Sequence, residues 1–317
     1  MKTYLSLIIF WLMLGDFAWA ARPVISIHQY DSRPALESIV QGLQDSLGAQ
    51  GIDAEYRVHL AYGNPATAKQ IAAQMANEHA DLFLAIGQQS SEAVVPVFAG
   101  ISGLLKPLLL TAVTMQPEEL SWPAQSQQFQ RVVGIESPEE IFGLIKSVLP
   151  RIKRLGVVFT QDETESAVRL RILQKLAGEH AVSLIEAPVG KPAQLYPVSR
   201  KLAKEVEAIL VFPDSAVWPA LDAVIRAAVE NRVPLFSLDT GTVAKGVMAS
   251  TGCDTYGLGY KTGIEAKKML TEGAGKKTEQ TSYQQALLAV NLRSAALMKV
   301  KIPSEVLRRA SMVCSGR

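Results

Sequence analysis

The chain has little cysteine and almost no net charge. Two cysteines among 317 residues are too few for a disulfide scaffold or a cysteine-based zinc module. Lys and Arg total 32 against 30 Asp and Glu, a formal charge of +2, which gives no electrostatic footprint for nucleic acid. Beyond the N-terminus, no apolar run is long enough to span a bilayer. The most apolar stretch, residues 98–113, carries Lys106 and Pro107, whereas a spanning helix needs about 20 apolar residues. The four histidines (His28, His59, His79 and His180) show no H-x-x-x-H spacing, so a helical metal pair is excluded. There is no G-x-S-x-G nucleophile elbow. With each template unmet, the sequence points away from an enzyme and assigns no catalytic residue, no metal and no cofactor.

Apolar residues make up 48% and charged residues 20%, enough for a real core and against global disorder. The length suits two domains or one large one. At the N-terminus Lys2 precedes an apolar run over residues 5–14, broken only by Ser6. Gly15 comes after it, and then Ala18-Trp19-Ala20, an A-x-A site. This reads as a secretory signal peptide, residues 1–20, cleaved after Ala20. A membrane anchor is the alternative, but the run is too short and Asp16 places a charge just past its end. With no cysteine near the cut, lipid anchoring there is excluded. The mature protein is therefore expected in the periplasm. In that compartment Cys253 and Cys314 can oxidise. A bridge would close a loop of about 60 residues, worth roughly 4 kcal/mol by the chain-entropy estimate; the alternative is two unpaired thiols.

The mature chain alternates β-rich runs with helical patterns. Strands are expected at 24–28, 54–60, 81–86 and 106–113, with helices over 34–47 and 65–79 and another starting near Ser90. The alternation then begins again: strands at 131–135, 155–160, 182–187, 208–212, 233–238 and 246–251, and helices over 138–149, 164–179, 192–205 and 215–231. Such alternation demands right-handed crossovers and parallel sheets covered by helices. About ten strands in two series, separated by the Gln-, Ser- and Pro-rich segment 115–130, predict an α/β fold of two doubly wound parallel-sheet lobes joined by a hinge. Lobe 1 is expected over residues 21–136, completed by 252–285, and lobe 2 over 137–251. A C-terminal strand and helices over 286–317 are assigned to neither.

Two glycine motifs invite nucleotide readings. Gly257, Gly259 and Gly263 nearly spell a dinucleotide fingerprint, but the last spacing is one residue too long and no βαβ unit surrounds it. Tight-turn and helix packing explain it better. Residues 273–278 (GAGKKT) superficially evoke a P-loop but lack its spacing and come after a helix.

The remaining candidates are polar strand-to-helix turns, which in doubly wound folds cluster at the carboxyl ends of the strands, where ligands bind. Candidate ligand contacts from the first series are Gln29 and Tyr30, then Gln88, Ser90 and Ser91, then Thr114; His28 ends the first strand and could also touch ligand. From the second series come Glu165 and Ser166, Asp214 and Ser215, and Asp239 and Thr240. Helix N-termini offer free N–H groups to a ligand carboxylate, and Asp214 or Asp239 could hold an ammonium. The alternative for Ser90, Thr164, Ser215 and Thr240 is that they are N-caps. Tyr30, Phe159 and Tyr256 could stack on a ring or simply pack.

The order of these turns resembles the ABC-transporter substrate-binding protein family that includes tryptophan- and tyrosine-binding members. The resemblance covers nearly all of the mature chain. It is strongest at the end, where Val243-Ala244-Lys245-Gly246 leads into Ala249-Ser250-Thr251-Gly252 and Tyr256-Gly257-Leu258-Gly259 opens a helix. Asn291-Leu292, Ala295-Ala296 and Ile302-Pro303-Ser304-Glu305-Val306-Leu307 then close the chain. Gln29 with Pro34-Ala35-Leu36 resembles the family's first strand and helix start, and Asp214 falls on the turn whose Asp commonly faces ligand. Three turns depart from the pattern: Glu165-Ser166 stands where members carry Asn-Ser, Gln88-Gln89-Ser90-Ser91 where they often have Thr-Pro-Ala-Ala, and Thr114-Met115-Gln116-Pro117 where they often have Thr-Asp-Pro. The resemblance implies a type I periplasmic binding protein fold. It also implies a monomer that captures a small-molecule ligand and docks on a membrane permease driven by a cytoplasmic ATPase. The alternative is a ligand-sensing module of the same fold that signals to a membrane receptor.

Overall fold

A computed structural model describes residues 22–101, 107–115, 122, 129–212, 214–272 and 280–315. The predicted leader, most of segment 115–130 and the P-loop-like 273–278 lie outside the described residues. The first sheet contains β1 (Val24–Gln29), β2 (Glu55–Leu60), β3 (Leu82–Ile86), β4 (Leu108–Thr114), β5 (Gln130–Ile135) and β11 (Gln280–Tyr283), in the order β11-β5-β4-β3-β1-β2. All its pairings are parallel. The second contains β6 (Arg154–Thr160), β7 (Ser183–Val189), β8 (Ala208–Val211), β9 (Leu235–Ser237), β10 (Ala249–Cys253), β12 (Ala286–Asn291) and β13 (Met312–Cys314), in the order β13-β12-β10-β9-β8-β6-β7. Here β12 runs antiparallel to β10 and parallel to β13. In each sheet the first five strands in chain order run 2-1-3-4-5, the doubly wound order with its switch point between the first and third strands.

Burial explains why these runs became strands. In β3 every residue is buried, as a parallel strand covered on both faces requires. Leu82, Leu84 and Ile86 join one core with Ile25, Ile27 and Leu43. Phe83 and Ala85 join another, with Met75, Val94 and Phe98. The helices flanking the first sheet are α1 (Pro34–Ala49), α2 (Pro65–Ala76) and α3 (Gln88–Ala99). Pro34 and Pro65 stand in the first turns of α1 and α2, where the missing N–H costs nothing. The Asn64 side chain caps α2 by accepting the N–H groups of Ala66 and Thr67 at 2.9 and 3.0 Å. Around the second sheet lie α4 (Pro138–Val148), α5 (Thr164–Glu179), α6 (Leu195–Leu202), α7 (Leu221–Asn231) and α8 (Thr242–Lys245). The apolar faces of α4 to α7 merge with that sheet into one large core.

The chain passes between the sheets three times, at residues 136–137, at Asp254 and at 284–285. The second and third passages are tied together. The Asp254 N–H donates to the carbonyl of Gln285 at 2.8 Å, and the Tyr283 hydroxyl donates to the Asp254 carboxylate at 2.9 Å. Between them, α9 (Thr255–Glu272) returns to pack on α1 of the first lobe. The last two helices, α10 (Leu292–Leu297) and α11 (Ser304–Arg309), lie beside β12 and β13, so residues 286–314 complete the second sheet.

The α1–α9 contact is backbone against backbone. A Cβ on Gly42 would lie 2.2 Å from the Tyr256 carbonyl oxygen, and one on Gly259 would lie 2.2 Å from that of Ile39. One on Gly263 would lie 2.5 Å from the Ser46 Cβ. Two of the three glycines that resemble a nucleotide fingerprint, Gly259 and Gly263, thus pack against α1, whereas Gly257 lies against the Tyr283 hydroxyl and the Asp254 carboxylate.

The structure does not join the cysteines. Both are free thiols: Cys253 stands opposite Ala286, at one end of β12, and Cys314 opposite Asn291, at the other. Strand register therefore holds the two sulfurs apart, and of the two alternatives the compartment left open the structure has the unpaired thiols.

Gly259→Ala is expected to lose about 3 kcal/mol in urea unfolding, as overpacking against backbone does. Gly48→Ala, with open space around its Cβ, should be neutral or gain up to about 1 kcal/mol. Thiol titration of the unreduced, denatured protein is expected to find both cysteines reactive.

Candidate functional site

The carboxyl ends of the two sheets face each other, and two adjoining cavities lie between them. The larger, about 360 Å³, is lined by Tyr30, Gln88 and Glu92 from the first lobe and by Thr160, Glu163, Glu165 and Ser215 from the second. The smaller, about 90 Å³, has an aliphatic wall that includes Leu36, Ile39, Val113 and Leu238. Its rim of polar groups comprises Arg33, Gln88, Gln89, Glu136, Glu163, Glu165, Arg169 and Asp239, and Cys253 also faces it. Both lie where switch points place ligands in doubly wound sheets.

Local structure brings Gln88 and Gln89 there. Gly87, at φ +89°, turns the chain straight from β3 into α3, a conformation glycine adopts without penalty. Its N–H donates to the Thr111 carbonyl at 2.7 Å, so α3 begins at the sheet's edge. The helix therefore starts before Ser90, which is not a cap. Ser90 is fully buried with no hydrogen-bond partner at Oγ, and Ser91 donates back to the Gly87 carbonyl at 3.0 Å. Nor do Thr164, Ser215 and Thr240 cap helices. The residues at those N-cap positions are Glu163, Ala220 and Gly241.

A buried charge network joins the lobes. Glu136 extends the β5 ladder of the first sheet, its N–H donating to the Thr114 carbonyl at 2.8 Å. Its carboxylate accepts from Arg169 Nε, on α5 of the second lobe, at 3.1 Å. One turn back on α5, Glu165 lies 3.7 Å from the same guanidinium and is hydrogen-bonded by Thr114 from across the cleft. All three charged side chains are buried. Burial works against the Arg169 charge, but Glu136 and Glu165 outweigh it and hold the guanidinium above its ordinary range. Burial raises the Glu165 carboxyl in turn.

The structure gathers Tyr30, Gln88, Glu165, Ser215 and Asp239 of the predicted residues around the two cavities. Thr114 lines neither cavity but hydrogen-bonds Glu165 across the cleft. The others point elsewhere. Gln29 donates to the Asp31 carbonyl at 2.7 Å and lines a groove on the first lobe instead. His28 is buried, its Nε2 donating to the Ala68 carbonyl at 3.0 Å. Thr240 lines neither cavity. Phe159 packs on Phe212, and Tyr256 stands on the outer surface, its hydroxyl donating to Asp45.

Asp214 and Ser166 are the sharpest departure. Asp214 sits beneath the cleft floor, accepting from the Thr160 N–H and hydroxyl, both at 2.6 Å, and from the Ser166 hydroxyl at 3.0 Å. It also takes the Val217 N–H at 3.3 Å. Its carboxylate is therefore spent on bracing β6, α5 and the turn after β8, with no oxygen left for an ammonium. Arg33, Gln89, Glu136, Glu163 and Arg169 are cleft residues absent from the predicted set. Glu136 directly succeeds a strand and was reachable from that position. Arg169, one turn inside a helix, becomes visible only through its i,i+4 spacing from Glu165.

The family described as "ABC transporter substrate binding protein" matches residues 24–314. This chain belongs to that family. Among its relatives, the tyrosine-binding protein of Clostridioides difficile (strain R20291) is 24% identical over 253 residues, covering 78% of this chain and 72% of the relative. A conserved domain protein of Vibrio cholerae, 27% identical, superposes with a TM-score of 0.82 over 92% of this chain and 99% of its own. A Streptococcus pneumoniae ABC domain in complex with L-Trp, 18% identical, gives 0.80 over 92% and 100%. The fold is that of the type I periplasmic binding proteins. Among the described residues of this substrate-binding protein, no helix is long and apolar enough to cross a membrane.

Burial of Asp214 carries a pH dependence. Desolvation pushes its carboxyl up to about 6 despite the donors around it, so the folded state holds this proton more tightly than the unfolded chain. Stability therefore falls as pH rises from about 4 through 6, by an amount on the order of 2 kcal/mol. Urea midpoints across this range should fall less steeply in Asp214→Asn. An unchanged slope would assign the titration to another group.

Proposed function

We propose that this protein is the extracytoplasmic solute-capturing component of an ABC-type importer. It is exported to the periplasm, its signal peptide cleaved after Ala20, and works as a monomer. An amino acid or related small molecule enters between the lobes, and the three connecting passages act as the hinge on which they close. The closed form then presents its cargo to a membrane permease. Binding alone performs this task; no bond is made or broken.

One observation carries the reading: side chains from both lobes line the same cavities at both switch points, so a solute lodged there holds the lobes together. A relative named for tyrosine binding and a neighbour that contains L-Trp support a ligand of amino-acid type.

A thermal-shift screen with amino acids, small peptides, sugars and organic acids tests it. A ligand at one hundred times its Kd should add about 2.7 kcal/mol to stability. Gln89→Trp, which fills the rim between the two cavities, should weaken that ligand at least tenfold without changing the ligand-free melting point. A broad panel that shifts nothing would overturn the reading. Uptake of the ligand that survives deletion of the gene would favour the sensing alternative.

A further inference from the structure

The charge of the cleft opposes the charge of the chain. The whole protein is slightly basic, at +2, yet Glu136, Glu163, Glu165 and Asp239 face the smaller cavity against only Arg33 and Arg169. The larger cavity adds Glu92 and Asp162 against Lys69. Within this excess some acceptors are already engaged. Glu136 is paired with Arg169, and Glu163 accepts the Ser215 N–H at 2.8 Å. Others are not. Asp239 is only 8% exposed; its Oδ1 takes the Gly241 N–H at 2.8 Å, but its Oδ2 has no hydrogen-bond partner among the described residues. Gln88, 7% exposed, donates through Nε2 to Glu92 and leaves Oε1 unpartnered. Both line the smaller cavity. Buried acceptors without donors are costly, and here they converge on one space.

The walls of that space are aliphatic. Leu36, Ile39, Val113 and Leu238 face it, and among the described residues no aromatic ring does; Tyr30 lines the adjoining larger cavity. A ring-bearing solute would find nothing there to stack on, whereas a methylene chain would find matching surface.

Building on the solute-binding reading above, we infer that the ligand is a net cation: an aliphatic amine or guanidine whose positive nitrogen donates to Asp239 Oδ2 and Gln88 Oε1, with its methylene chain along the aliphatic wall. The carboxylate excess attracts such a charge. Arg169 is already paired with Glu136 and Glu165, and Arg33 with Asp31 at 2.8 Å, which offsets the repulsion from both.

Isothermal titration of the purified protein with L-lysine, L-arginine, agmatine and 1,4-diaminobutane, set against L-tryptophan, L-tyrosine and L-glutamate, tests the inference. At least one of the four cations should bind ten times or more tighter than any of the other three probes, and more weakly as salt rises. Asp239→Asn keeps the acceptor for Gly241 and should weaken that cation at least tenfold. Gln88→Leu should weaken it too and serves if the first variant misfolds. Silence of all four cations overturns the inference, as does unchanged affinity in both folded variants. Tryptophan or tyrosine binding in place of the cations would overturn it while leaving the solute-binding reading standing; only failure of the wider screen removes both.

Discussion

A guanidinium buried between two lobes needs its counter-charge within reach, and Arg169 finds it on the opposite side. Removing one partner of such a pair leaves an uncompensated charge at a cost of several kcal/mol. The Glu136–Arg169 bond therefore fixes more than two side chains. It joins the end of β5 to the first turns of α5, the place where both sheets present their carboxyl ends. The Thr114–Glu165 contact runs beside it in the same direction. On the proposed function, opening the lobes would break these contacts or wet them, and closing around a solute would rebuild them in a dry space. The charge network thus couples cleft geometry to lobe position.

Two devices keep the rest of the site rigid enough for that coupling. Asp214 locks the strand-to-helix turns of the second lobe by gathering four donors from β6, α5 and the segment after β8. On the first lobe, Gly87 lets α3 start without a loop, so the cleft-facing glutamines ride on a helix rather than a flexible connection. Polar residues that look like binding groups in isolation can be supports of this kind. A site residue needs a free hydrogen-bonding atom as well as a position near the cleft, and Asp239 has one where Asp214 does not.

The architecture was legible in the sequence because hydrophobic alternation reports parallel strands covered on both faces, and because the turns between them mark the carboxyl ends. The nucleotide-like glycines were legible as packing residues from their spacing and setting. The site was legible only in part. The turns stand out, but which side chain of a turn faces the cleft depends on where the helix begins, and helix starts at Gln88 and Thr164 rotate Ser90, Ser91 and Ser166 away. Arg169 carries no turn signal at all; its role comes from a tertiary contact. The cysteines illustrate the same limit. Compartment chemistry permits a bridge, but strand register decides whether the sulfurs meet, and short strands such as β12 and β13 have registers that no local pattern sets.

The return of α9 and β11 to the first lobe has a consequence for how the chain is completed. The edge of β5 gains its last partner only from residues 280–283, after all the parallel strands β6 to β10 of the second lobe have been made. The lobes are thus interleaved in time as well as in space. Until the late segment arrives, an early-made sheet carries an open, apolar edge of the kind that invites pairing with other chains, and α1 lacks the helix its glycine face is shaped to receive. A protein built this way matures as one unit, its first lobe waiting on residues made after most of the second.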